Sequence, residues 1–126
     1  MNIYIASGFF NDMTRKNVEF LATILRQDGN EVYVPMEHEV EHAWELKNSV
    51  WAKKVFDMNI QALRDCDMVV MLDYGMNNDS GASWECGFAY GIGKPCKIIP
   101  MNTILSIMTA CSATNFRRLA ESIELK

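Results

Sequence analysis

Three carboxylates, Asp73, Asp79 and Glu85, fall at even spacing along a segment that leads from a buried apolar stretch through a polar loop into a helix start. Acids gathered at such a junction can hold polar groups of a ligand or attack it. Asp79 or Ser80 is placed to cap the helix, and a carboxylate in the first turns is favoured by the helix dipole, so Glu85 is expected to stay ionised even when partly buried. Nucleophilic attack requires that ionised form. The plainer alternative is a helix-start glutamate matched to the dipole, with no chemistry of its own. A second polar loop, Ser7 to Asp12, supplies Gly8, which lets backbone approach a ligand, and Phe9 and Phe10, whose rings can stack on a planar ligand or cap the core.

The elements that must position these groups follow from periodicity. Asn2 to Ala6 reads as a strand; Val18, Leu21, Ala22 and Leu25 recur at helical spacing until Gly29. Glu31 to Pro35 reads as a second strand, and Trp51, Val55, Phe56, Ile60 and Leu63 as the apolar stripe of a long helix that carries Asn59. Asp67 to Leu72 is a buried strand, Ser80 to Ile92 a helix, Cys96 to Pro100 a fourth strand, and Phe116, Leu119, Ala120 and Ile123 mark a final helix. Ser83, Gly87 and Gly91 suggest a small-residue seam on which the third helix lies against the sheet. Strands alternating with helices over short connections imply an α/β fold: one doubly wound, flavodoxin- or Rossmann-like parallel sheet of four to five strands, helices on both faces. With strand order 2-1-3-4, ligands bind beyond the carboxyl ends of strands 1 and 3, where Ser7 to Asp12 and Asp73 to Glu85 emerge.

The chain has 126 residues, of which 49% are hydrophobic, so a single domain over residues 1–126 is expected. There is no run of about 18 apolar residues and no basic-then-apolar leader, which predicts a cytoplasmic protein without a membrane partner. The four cysteines, Cys66, Cys86, Cys96 and Cys111, form no C-x-x-C pair. A net charge of -4 with scattered Lys and Arg gives no footprint for nucleic acid. His38-Glu39-Val40-Glu41-His42 matches the H-E-x-x-H zinc pattern, which needs both histidines on one helix and a third ligand. These are the only two histidines in the chain, so a solvated acidic loop and no metal are expected instead.

Ile3 to Asp12, the block Asp79-Ser80-Gly81-Ala82-Ser83-Trp84-Glu85-Cys86-Gly87-Phe88-Ala89-Tyr90, and Gly93-Lys94-Pro95 together resemble the nucleoside 2-deoxyribosyltransferase family, over Met1 to about Pro100. The resemblance implies exchange of nucleobases on 2'-deoxyribose, with retention, through a covalent ester on Glu85. It further implies that Asp79 binds the deoxyribose 5'-hydroxyl, that Tyr4 orients the Glu85 carboxylate, and that Phe9, Phe10 and Asp12 lie where the base is held. No cofactor is implied; the partners are deoxynucleosides, free bases and further copies of the chain sharing active sites.

Two departures stand out. Where the family places an aspartate to manage protons on the base, this chain has Asn59, which cannot be a general acid. Asn59 then only hydrogen-bonds the base, or Asp57 or Asp12 handles the proton, or turnover is weaker than in other members of the family. Toward the carboxyl end Ser106 stands where the family often has an asparagine, a serine being more typical of related deoxynucleoside monophosphate N-glycosidases. That glycosidase activity, and a non-catalytic nucleotide-binding sensor of the same fold, are the competing functions.

Overall fold

A computed structural model of the chain describes residues 1–101 with 108 and 109, so Ser106, Cys111 and the expected final helix lie outside the described residues. Four strands, β1 (Asn2–Ala6), β2 (Glu31–Tyr33), β3 (Met68–Asp73) and β4 (Cys96–Pro100), form one sheet in the order β2-β1-β3-β4. Every pairing is parallel, with Ala6 beside Met71 and Asp73 beside Pro100. Three α-helices make the crossovers: α1 (Asp12–Gln27), α2 (Asn48–Asp65) and α3 (Ser80–Gly91). The expected α/β doubly wound order is the observed one.

Strand alternation divides the core between the two faces of the sheet. Tyr4, Ala6, Val69 and Met71 pack with Leu63 of α2 and with Ala82, Cys86 and Ala89 of α3. Ile5 and Leu72 point the other way, onto Val18 and Ala22 of α1. The central β3 is apolar on both sides because it is covered on both sides, whereas β2, at the edge, is only partly buried. Each fully buried side chain of the size of Ile5 or Leu63 contributes about 2 kcal/mol.

Local chemistry sets the helix ends. Asn11 and Thr14 form a reciprocal capping box at the start of α1, and Gly29, at φ 89°, follows its end. Gly93, at φ 80°, lets the chain leave α3 as the Lys94 N–H donates to the Ala89 carbonyl at 2.9 Å.

The expected small-residue seam is not the face that meets the sheet. Ala82, Cys86 and Ala89 are buried there, while Gly87 and Gly91 are exposed, and a Cβ added to either meets nothing within 4 Å among the described residues. Turning about 100° per residue, the helix presents positions 82, 86 and 89 as one face and carries 87 and 91 off it.

Candidate active site

The β3–α3 connection is built around Asp73 and Asn78. Asp73 Oδ1 accepts from the Gly75 N–H at 2.8 Å and from Asn78 Nδ2 at 2.7 Å, and the Tyr74 N–H donates to Asn78 Oδ1 at 2.6 Å. Asp73 is therefore a loop clamp, fully buried, and the three acids of the segment do different work. Asp79, not Ser80, caps α3: its Oδ2 accepts from the Ala82 N–H at 3.0 Å. Its carboxylate is otherwise open to solvent.

Loops β1–α1 and β3–α3 meet at this helix start. A Cβ on Gly8 would stand 2.9 Å from Asp79 Cβ and 2.6 Å from Phe10 Cε1, so only glycine lets the two loops approach so closely. The expected switch point between β1 and β3 is thus a contact between named residues.

Beside it lies a cleft of about 510 Å³ between α2 and the amino-terminal half of α3. Ala52, Val55, Phe56, Asn59, Ile60 and Leu63 form one wall, and Ser80, Gly81, Trp84 and Glu85 the other. The apolar stripe of α2 therefore does two jobs: Leu63 is core, whereas Phe56 is exposed and walls the cleft. The Phe56 and Trp84 rings sit 5.5 Å apart, tilted by 57°, and Trp84 stacks on Phe88 at 5.5 Å. An aromatic wall of this kind suits a planar heterocycle.

Glu85 is the one ionisable side chain among the described residues that lines this cleft. It occupies the second turn of α3, past the reach of the dipole's first-turn effect, and burial pushes its carboxyl up to about 8. Burial thus works against the ionised form that the helix position was expected to favour. Among the described residues its Oε2 is buried without a partner, and so is the Tyr4 hydroxyl on the same side of the sheet.

Asn59 faces the same cleft. Its Oδ1 accepts from the Tyr33 hydroxyl at 3.2 Å. Tyr33 is itself stacked between Tyr4, at 5.3 Å between centroids, and His38, at 4.1 Å.

The structure thus brings Glu85 and Asn59 into one cleft, and Gly8 against Asp79 at its edge. Phe9, Phe10 and Asp12 sit exposed on the β1–α1 side and do not line the cleft among the described residues. Neither does Asp57, which pairs with Lys53 on the outer face of α2 at 2.6 Å. Residues 38–42 are not a helix, and His42 takes a left-handed conformation at φ 55°, so the two histidines do not stand one helical turn apart.

The model of the nucleoside 2-deoxyribosyltransferase family matches residues 3–111. The chain belongs to that family. Its structure is similar to that of a 2-deoxyribosyltransferase from Bacillus psychrosaccharolyticus, with TM-score 0.79 and 29% identity over 90% of this chain and 82% of that one. A conserved protein from Enterococcus faecalis shares the fold at TM-score 0.67 and 20% identity, over 99% of this chain and 76% of the other. The CMP N-glycosidase of Clostridium botulinum shares it at TM-score 0.56 and 20% identity, over 79% and 69%. No curated protein matches the sequence. Within the deoxyribosyltransferase frame, the sequence gives no role to Trp84, which lines the cleft, or to Tyr33, which touches it only through Asn59. Trp84 stood inside the motif beside Glu85, and an aromatic next to a proposed nucleophile was the signal that could have singled it out.

Proposed function

We propose that this chain transfers the 2-deoxyribosyl group from one nucleobase to another, with Glu85 as nucleophile, acting as one domain. The observation that carries this reading is the placement of Glu85, which supplies the cleft's ionisable group beside an aromatic wall. The ionised carboxylate attacks C1' of the donor nucleoside; the C1'–N electron pair leaves with the base, and a deoxyribosyl ester on Glu85 remains. A second base attacks the same carbon through a ring nitrogen that gives up its proton to solvent, the ester C1'–O pair returns to the carboxylate, and two inversions give net retention. Water takes the place of that base when none is bound.

Asp79 is proposed to hold the 5'-hydroxyl through the carboxylate oxygen not engaged by the Ala82 N–H. Tyr4 is proposed to donate to ionised Glu85; neither buried oxygen has another partner among the described residues. Phe9, Phe10 and Asp12 are proposed to approach the base from the β1–α1 loop, and Ser106 to approach the sugar. A nucleoside fits better than its monophosphate, because no Lys or Arg lines the cleft among the described residues and the Asp79 carboxylate would repel a phosphate. The exposed aromatics Trp51, Phe56 and Trp84 support a homo-oligomer in which a second copy covers the cleft mouth.

Incubation with 2'-deoxyuridine and free hypoxanthine tests the reading. Formation of 2'-deoxyinosine, and of a deoxyribosyl adduct on the peptide holding Glu85 when the acceptor is withheld, is expected. Exchange that persists undiminished in Glu85→Ala would remove Glu85 from the reaction.

A further inference from the structure

Asn59 cannot give up a proton, and the hydrogen bond it receives decides what it can do instead. The Tyr33 hydroxyl donates to Asn59 Oδ1 at 3.2 Å, and the Tyr33 ring is held between Tyr4 and His38 with interplanar angles of 14° and 6°. Burial raises the Tyr33 phenol above its ordinary value, so the hydroxyl keeps its proton and remains a donor. That bond holds the amide oxygen toward Tyr33, which does not line the cleft, and so leaves the N–H₂ group as the part of the amide offered to a ligand in the cleft that Asn59 lines. The remaining side chains of that cleft are apolar, apart from Ser80 and the proposed nucleophile Glu85.

We infer that Tyr33 is a positioning residue that fixes Asn59 as a donor-only contact, so that this cleft expels nucleobases as anions and selects donors whose bases carry a ring carbonyl and imide over amino-substituted ones. The inference rests on the proposed transfer through Glu85 and names its substrate class. As the carboxylate oxygen bonds to C1', the C1'–N pair passes onto the departing ring and spreads to the carbonyl oxygen, where the Asn59 N–H₂ can donate to it. The charge of the carboxylate becomes the charge of the leaving base, which takes its proton from water after release. A uracil-type anion spreads that charge over two carbonyl groups flanking the imide nitrogen. A cytosine-type base has an amino group in place of one of them and depends on protonation; among the described residues the one acid lining the cleft is Glu85, which must itself be ionised to attack.

The test uses 2'-deoxyuridine and 2'-deoxycytidine as donors, which differ in that one substituent, with hypoxanthine as common acceptor. The wild-type chain is expected to turn over deoxyuridine with kcat on the order of 10²-fold above deoxycytidine, the usual worth of a general acid to a leaving group that needs one. Asn59→Asp, which restores a carboxyl group, should raise kcat for deoxycytidine and narrow that ratio. Tyr33→Phe keeps the ring stack but frees the amide to rotate, and should also narrow the ratio, by slowing deoxyuridine. A loss of structure alone would slow both donors together. Equal kcat for both donors in the wild type, or an unchanged ratio in Tyr33→Phe, overturns the selectivity and leaves transfer through Glu85 standing. No exchange from either donor, in the wild type and in Asn59→Asp alike, overturns the transfer reading and the selectivity with it.

Discussion

The Tyr4 hydroxyl and Glu85 Oε2 are buried on the same side of the sheet, and no hydrogen bond joins them. A carboxyl group in that position, desolvated and unpartnered, holds its proton until about pH 8. The proposed nucleophile is therefore stored in its uncharged form.

Stability should report this directly. Between the ordinary glutamate value of 4.5 and about 8, folded Glu85 is protonated while the unfolded chain is ionised at the same position. The folded state binds the extra proton, so stability falls as pH rises through that window and levels off above it. Each pKa unit is worth about 1.4 kcal/mol, which makes the total effect a few kcal/mol. Glu85→Gln removes the penalty while keeping the shape. Thermal unfolding at pH 5 and pH 8.5 should show the variant more stable than the wild type by a margin that is larger at pH 8.5. In the same window wild-type kcat/KM should climb toward pH 8 as the nucleophile ionises. Parallel pH slopes for variant and wild type would mean that Glu85 does not titrate as its burial dictates.

Asp79 separates two roles by substitution. Its Oδ2 caps α3, a contact that asparagine preserves and alanine removes. Asp79→Ala should cost about 1 kcal/mol of stability, and Asp79→Asn much less. Both should raise KM for deoxynucleosides if the carboxylate holds the 5'-hydroxyl, and neither should alter KM for a 5'-deoxy donor. A KM that rises in Asp79→Ala but not in Asp79→Asn would mean that the cap, not the carboxylate, serves the substrate.

How much of this was legible in the sequence depends on the range of the interaction. The uninterrupted apolar run from Met68 to Leu72 announces a strand covered on both sides, and Asn11 and Gly29 frame α1, because these are local signals. The parallel order of the strands follows from alternation with helices, and the order at the switch point is the one expected. Residues without side chains gave no such guidance: Gly87 and Gly91 were read as packing positions, but a missing Cβ does not say which way it points. The rise in the Glu85 pKa is hidden from the sequence for a different reason. Helix position can be counted along the chain, whereas desolvation comes from burial that exists only once the chain has folded. The Tyr33–Asn59 hydrogen bond, spanning 26 positions, is equally invisible before the chain folds.

The approach of the two loops gives a third prediction. Gly8→Ala puts a methyl group 2.6 Å from the Phe10 ring and 2.9 Å from Asp79 Cβ. Phe10 is exposed and can swing away, but Asp79 is tied to the start of α3 and must shift with it. Overpacking of this kind costs roughly 1–3 kcal/mol. Denaturant unfolding should show that loss, and base exchange should fall further than in a surface control such as Lys16→Ala. Wild-type stability in Gly8→Ala would show that the loops are looser than their contact indicates.

The outer wall of the cleft supplies the last prediction. Phe56 and Trp84 pack on one another, yet they remain 52% and 50% exposed, and Trp51 in the same helix as Phe56 is 44% exposed. Large aromatics grouped at a cleft mouth leave apolar area in water that a second copy of the chain can cover. Light scattering should then give a mass that is a multiple of the 14.4 kDa chain. Trp51→Glu should dissociate the assembly, because a carboxylate buried without a partner at such an interface costs several kcal/mol. Trp51 does not line the cleft, so loss of base exchange in that variant, with its far-UV circular dichroism intact, would tie activity to assembly. A wild-type chain that runs as a monomer while exchanging bases at full rate would instead mean that the aromatic wall works on its own, and that one copy makes the complete site.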